Sequence, residues 1–302
     1  MPRVLVVYKK DAYQQYIQEQ QDPHLVRLLG RRHADVQDMH RAHEVHEAAI
    51  EAVVHALRQL PVEFDLAYRA DLKVTRRYSV VVTVGGDGTF LQAARSVSQT
   101  PILGVNSDPA RSEAVFCAAN ARTFSALFKR ALAGALPELR LYRLQMHLNE
   151  TLLPHRALND VLLVHDDPAT MSRYRMRIGR REETQKSSGL WVSTSAGSSS
   201  AVLAAGGVRL PWGRKAFQYR PRELYRGRLS HPKLTGGVLP PAARVRLTWL
   251  MRRGSAFIDG PHLKVPLRFA DRIELRLSPA DPLRVLGLRK SNAPVNRPGR
   301  LL

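Results

Sequence analysis

Residues 78–95, YSVVVTVGGDGTFLQAAR, decide how the chain folds. Val80, Val81 and Val82 make a short β-branched apolar run of the kind that fills a buried strand. Gly85, Gly86, Asp87, Gly88 and Thr89 follow at once, and Phe90, Leu91, Ala93 and Ala94 have the spacing of the first turns of a helix. A strand that breaks on glycines into a helix brings bare backbone N–H groups and a helix N-terminus to one point, which favours phosphate. Glycine lets the backbone approach a ligand where a Cβ would clash. Asp87 departs from that logic, because a carboxylate repels phosphate. It suits a base for an incoming hydroxyl, or a ligand for a metal that carries the phosphates. The plainer alternative is a strand–turn–helix corner that uses glycine for its geometry, with Asp87 capping the helix. The standard phosphate fingerprints are missing. No lysine follows these glycines as in a P-loop, and Leu91 stands where the dinucleotide pattern needs a third glycine.

Outward from this corner, residues 3–8 read as a first strand, and residues 17–31 are polar without a clear assignment. Residues 35–60 carry an apolar stripe through Ala48, Ala49, Ile50, Val53, Val54 and Leu57 that predicts a helix, which Pro61 ends. Strands are predicted over 62–68 and 102–105, and a helix over 121–135. This alternation predicts a Rossmann-like parallel α/β domain over residues 1–136. Ligands of such sheets gather at the carboxyl ends of the strands, where both Gly85–Gly88 and Asn106 fall. Beyond Pro137 the pattern changes to short runs at 139–148, 157–164, 174–178, 190–194, 243–250, 255–258 and 273–277, with one short helix at 199–205. Residues 137–282 therefore read as a β-rich, antiparallel second domain. Val285-Leu286-Gly287-Leu288 reads as a return to the first domain, so residues 283–302 are assigned with it. The Pro-, Asn- and Arg-rich tail from Ser291 is expected to be mobile.

At 302 residues, 44% hydrophobic and 24% charged, the composition is that of a globular protein with ample core. No apolar run approaches the roughly 20 residues that span a bilayer, so no membrane is expected as a partner. Arg3 leads directly into Val4-Leu5-Val6-Val7, so no signal or transit peptide is expected. One cysteine, Cys117, excludes an internal disulfide and a cysteine-built zinc site. A cytoplasmic location is the expectation. The 47 basic against 26 acidic residues leave a net charge of +21, which draws anions such as nucleotides, polyphosphate or nucleic acid. The basic residues are scattered singly among apolar strands and match no nucleic-acid-binding motif, so nucleic acid is not expected.

Four further constellations stand out. His33, His40, His43 and His46 cluster with Asp35, Asp38, Glu44 and Glu47. His43 and Glu47 stand i,i+4, a spacing that can share a metal, but no third ligand is evident in the pattern. A solvated or substrate-facing helix face is expected there, and no metal ligands are assigned. Asn159-Asp160 interrupts a β run. The pair can grip a ribose diol or an adenine edge, but taken alone it is better explained by an ordinary Asx turn. Residues 186–207, KSSGLWVSTSAGSSSAVLAAGG, set small hydroxyl residues between a strand and a helix, which again suits phosphate or a ribose. Asp259-Gly260 reads as a hairpin turn.

Together these stretches resemble the NAD kinase family. The likeness rests on Gly85-Gly86-Asp87-Gly88-Thr89, Gly104-Val105-Asn106, Asn159-Asp160, Gly189-Leu190 with Ser193-Thr194 and Gly197-Ser198, and Asp259-Gly260. It runs from Val80 to about Leu288. Residues 106–113 and 186–190 look closer to the mitochondrial type than to the common bacterial form. The resemblance implies an α/β domain followed by a β-rich one, and phosphoryl transfer from ATP to the 2′-hydroxyl of the adenosine ribose of NAD. It implies Asp87 as general base, and Gly88, Asn159, Asp160, Lys186, Ser188 and Ser199 as NAD-binding residues. Gly85, Gly86, Thr89, Asn106, Gly197 and Ser198 would form the phosphate and nucleotide loops. Mg²⁺ would come with the donor, which is ATP or polyphosphate, and a homodimer or tetramer is implied. Ser188 replaces an aspartate of the common form. Ala201 replaces an aromatic that stacks on adenine, a gap that Trp191 or Tyr219 would have to fill. Ala114 stands where glycine normally follows the acid. The alternatives are a lipid or other small-alcohol kinase using the same loop, or a nucleic-acid-binding protein on a degenerate kinase scaffold.

Overall fold

The structure is a computed structural model that describes residues 1–72, 77–228 and 230–290. The expected mobile tail from Ser291 lies outside the described residues. The chain divides into two units, Met1–Leu139 with Arg284–Arg289, and Arg140–Leu283.

In the first unit, β1 (Arg3–Tyr8) is followed by a seven-residue π-helical turn (Tyr13–Glu19), α1 (Pro23–Gly30) and α2 (Ala34–Arg58). Then come β2 (Glu63–Tyr68), β3 (Val80–Gly85), α3 (Asp87–Ser96), β4 (Ile102–Asn106), β5 (Cys117–Asn120) and α4 (Phe124–Leu132). The strands pair in parallel in the order β2-β1-β3-β4-β5. β3 and β4 are buried at every residue, as continuous apolar runs require when both faces are covered. The core joins Val4 and Val6, Val80, Val82 and Val84, and Leu103 and Val105 to the Ala49–Leu57 stripe of α2 and to Phe124 and Phe128 of α4.

Residues 17–31, left open by the pattern, are mostly helical. Asp22 caps α1 by accepting from the His24 and Leu25 amides, with Pro23 in the first turn. The predicted helix over 121–135 is shorter. The Asn120 side chain accepts from the Arg122 and Thr123 amides ahead of it, and Gly134 takes a left-handed φ of 67° behind it.

The second unit is antiparallel. In chain order its strands are β6 (Glu138–Leu148, whose first two residues belong to the first unit), β7 (Thr151–Ala157), β8 (Asp160–Val164), β9 (Ser172–Ile178), β10 (Arg181–Ser187) and β11 (Leu190–Thr194). After α5 (Ala201–Ala204) come β12 (Phe217–Pro221), β13 (Gly237–Leu239), β14 (Val245–Trp249), β15 (Gly254–Ile258), β16 (Lys264–Leu267) and β17 (Arg272–Leu286). One sheet contains β10-β9-β14-β17 with β6 and β7, and the other runs β13-β12-β11-β8-β15-β16. Their inner faces share one core, in which Tyr174, Met176, Leu247 and Trp249 from the first sheet join Val161, Leu163, Val192 and Phe217 from the second. Alternation is clear in β9, where Ser172, Tyr174 and Met176 are buried and Arg173, Arg175 and Arg177 are exposed. Past Leu283, β17 belongs to the first unit, where Val285 pairs in parallel with Ile102.

Several short strands escape the hydrophobic pattern. β10 (REETQKS) is largely polar, and β12 and β16 contain proline. Backbone pairing with β9, β11 and β15 holds them in the sheets. The predicted run 157–164 is broken between Ala157 and Asp160, and the helix expected over 199–205 contracts to α5. Among the described residues no helix is long and apolar enough to cross a membrane.

Candidate active site

In the first unit the site begins where β3 ends. Gly86 stands before α3 and its carbonyl accepts from the Thr89 and Phe90 amides, so α3 opens at Asp87 with its first N–H groups free of helical partners. A Cβ on Gly85 would collide with the buried Thr89 side chain, and Gly85 has φ of 155°, so glycine is required there. A Cβ on Gly104 of β4 would lie 2.7 Å from the Phe116 carbonyl, which explains glycine at that position too.

Asp87 does not cap its own helix. Its carboxylate turns to the loop before β5 and accepts from the amides of Val115 (3.1 Å) and Phe116 (2.9 Å). Burial pushes the carboxyl pKa upward, the two amides pull it back, and Glu113 adds a further upward push. The loop that presents those amides passes through Ala114, a buried residue at φ of 42°. That is a left-handed conformation suited to glycine, so the departure at this position has a physical correlate.

Gly88 is exposed in the first turn of α3, and the Arg69 guanidinium lies 3.7 Å from where its Cβ would stand. Arg69 and Lys9 are both desolvated enough to lower their pKa values. Neither residue carries a signal in the sequence pattern; Lys9 follows β1, which pairs with β3, and Arg69 follows β2 on the other side of β1. Asn106 faces inward. Its amide donates to the Ser112 carbonyl (2.8 Å) and its oxygen accepts from the Asp108 amide (3.0 Å), so the side chain shapes the 106–112 loop.

In the second unit, Asn159 and Asp160 lie at the break between β7 and β8. Asp259 produces that break. Its carboxylate accepts from the amides of Leu158 (2.8 Å), Asn159 (2.7 Å) and Asp160 (3.1 Å), while its own amide donates to the Asp160 carbonyl. The turn expected at Asp259-Gly260 is present, both residues having positive φ, but the side chain of Asp259 organises the pair 100 residues away. Asp160 is buried and accepts from the Ser200 hydroxyl at 3.1 Å. Burial first, then the neighbouring Asp259 charge, raises its carboxyl pKa to about 7, with Ser200 opposing.

The serine-rich bend wraps around the same loop. The Ser193 hydroxyl donates to the Asn159 carbonyl and the Thr194 hydroxyl to the Leu158 carbonyl. Gly197 packs so closely on the Asn159 carbonyl that a Cβ would overlap it. The Ser198 hydroxyl is buried, donating to the Ser195 carbonyl and accepting from the Leu210 amide, so it serves the bend itself. Ser199 is half-buried beside Ser200, and Ser200, overlooked in the sequence, is the residue that reaches Asp160. Lys186 is exposed on β10 with its ammonium 5.5 Å from the Tyr225 ring centre. Ser188 is half-buried and its amide donates to the Arg222 carbonyl. Ala201 is exposed at the start of α5. Tyr219 is spent in the core, and Trp191 is half-buried on β11.

Residues 3–129 match the model of the ATP-NAD kinase N-terminal domain. A probable NADH kinase of Oryza sativa subsp. japonica is 32% identical over 254 residues, which cover 76% of this chain and 78% of that protein. Among solved structures, an NAD kinase from Archaeoglobus fulgidus in complex with ATP aligns over 96% of this chain and 95% of its own, with a TM-score of 0.66 and 20% identity. A yeast NADH kinase complexed with NADH aligns over 96% and 85%, with a TM-score of 0.70 and 15% identity. At those identities the two structures establish a shared fold.

Proposed function

The chain belongs to the NAD kinase family, and from that premise we propose that it transfers the terminal phosphoryl group of ATP to the 2′-hydroxyl of the adenosine ribose of NAD, yielding NADP and ADP. The observation that carries this is Asp87: a carboxyl of raised pKa, held by two backbone amides at the carboxyl end of a buried parallel strand. A ribose hydroxyl is a poor nucleophile and needs a base within hydrogen-bond reach. Asp87 takes the hydroxyl proton as the bond from O2′ to the γ-phosphorus forms. The bond from that phosphorus to the ADP oxygen breaks, and ADP leaves with the electron pair.

The free N–H groups of α3, with Arg69 and Lys9 beside the corner, supply the positive field that the donor's phosphates need. Mg²⁺ enters as part of the ATP complex. Asn159 and Asp160 hold NAD by its ribose hydroxyls or adenine edge, with Asp259 and Ser200 fixing their orientation. Gly88, Lys186, Ser188 and Ser199 complete the proposed NAD contacts. Single-cysteine composition supports a cytoplasmic setting, and a homo-oligomer follows from the family likeness. The lipid-kinase and nucleic-acid readings are not favoured, since the relatives named above are NADH and NAD kinases.

The test is NADP formation from NAD, ATP and Mg²⁺, with a parallel arm in which NADH replaces NAD. The wild type is expected to turn over, and Asp87→Asn to lose on the order of a thousandfold in kcat while remaining folded. Catalysis needs the ionised carboxylate, so kcat/KM should rise with pH through the raised pKa of Asp87. Failure of well-folded protein to make NADP or NADPH with ATP or polyphosphate would defeat the proposal.

A further inference from the structure

The histidine-rich face of α2 is not used by this chemistry, and the structure supplies the third group that its sequence spacing lacked. Asp11, three residues past the end of β1, lies against His43, with Oδ2 2.8 Å from Nδ1. Glu47 follows His43 by one helical turn, and one donor atom from each of Asp11, His43 and Glu47 lies within 4.8 Å of the other two. All three side chains are partly buried. The His43 ring is held in place, stacked on Tyr13 at 5.2 Å and 26°, with its far nitrogen 3.4 Å from the Gln18 amide. Of the two lysines after β1, Lys10 is drawn into an ion pair with Glu19 at 2.7 Å, while Lys9 lies close enough to Asp11 to feel its charge.

We propose that Asp11, His43 and Glu47 bind one six-coordinate divalent first-row cation, Mn²⁺ fitting best. Two carboxylates and one imidazole form an oxygen-rich, borderline donor set that suits such ions. The 2.8 Å separation of His43 Nδ1 and Asp11 Oδ2 is a hydrogen bond, whose proton a bound metal ion would displace. Three protein donors on one side leave three positions for water. The site lies at the carboxyl end of β1, the neighbour of β3, and is separate in residues from the Asp87 corner. It stands whether or not the chain phosphorylates NAD.

The experiment is a titration of the full-length, nucleotide-free chain with Mn²⁺ alone, followed by the loss of the free-ion paramagnetic resonance signal. One equivalent should bind to the wild type and to Asp87→Asn, and Mn²⁺ should raise the melting temperature of both. Glu47→Gln keeps the Asp11–His43 contact and so the local fold; it should melt like the wild type without metal and bind at least tenfold more weakly. His43→Ala should lose the equivalent altogether. Co²⁺ in the same site should give only the weak absorption of octahedral coordination. Absence of stoichiometric binding, binding that survives Glu47→Gln at full strength, or an intense tetrahedral Co²⁺ band would each overturn the proposal.

Discussion

Asp160 is an acid taken almost wholly out of water. It is buried near another carboxylate, Asp259, which accepts from three backbone amides, and it accepts from the Ser200 hydroxyl at 3.1 Å and the Asn159 side-chain amide at 3.3 Å. An aspartate in the unfolded chain ionises near 3.9, whereas Asp160 in the fold ionises near 7. The folded state therefore retains a proton that the unfolded state has lost. The stabilisation is fully present below about pH 4, declines as pH rises through 7, and levels off above. Asp160→Asn should remove this decline. The expected outcome is a variant whose stability to urea, relative to the wild type, improves from pH 5 to about pH 7 and levels off above. Asp87 could be singled out from its glycine neighbours. Asp259 could be picked out only as a turn residue, because its structural role is set by amides about 100 residues earlier in the chain.

At the scale of elements, the two glycine-containing bends behave differently. The corner between β3 and α3 is local: strand, glycines and helix are contiguous, and its form follows from the order of residues 80–96. The 193–200 bend is an assembly of distant pieces, in which Ser193, Thr194 and Gly197 close upon the carbonyls of Leu158 and Asn159. A methyl group on Gly197 has nowhere to go, since the atom it would meet is backbone already fixed by the Thr194 amide and the Ser193 hydroxyl. Gly197→Ala should cost about 2 kcal/mol or more by overpacking. It should also raise the KM for NAD more than it lowers kcat, because the displaced group is the Asn159 backbone. Denaturant unfolding and steady-state kinetics on the same preparation separate the two effects.

At the scale of the whole molecule, each unit has its own core, and the second unit contains a charge that its core must neutralise. Arg143 of β6 is almost fully buried, and Asp281 of β17 meets it at 2.8 Å, aided by the Asp281 carbonyl. Removing the acid takes away the carboxylate that meets this buried guanidinium, so Asp281→Ala should destabilise the second unit by about 3 kcal/mol. All three tryptophans, Trp191, Trp212 and Trp249, lie in that unit, so fluorescence-detected unfolding reads it selectively. The order of residues alone determined the parallel α/β half, the β-rich half, and the glycine corner between β3 and α3 with Asp87 at its head, because hydrophobic period and glycine placement are local properties. Tertiary structure decided what turns Asp87 away from its helix, what splits β7 from β8, which hydroxyl reaches Asp160, and which carboxylate joins His43 and Glu47. Each of these depends on a hydrogen bond or close approach between residues 28 to 101 positions apart, and short-range spacing along a chain carries no record of such contacts.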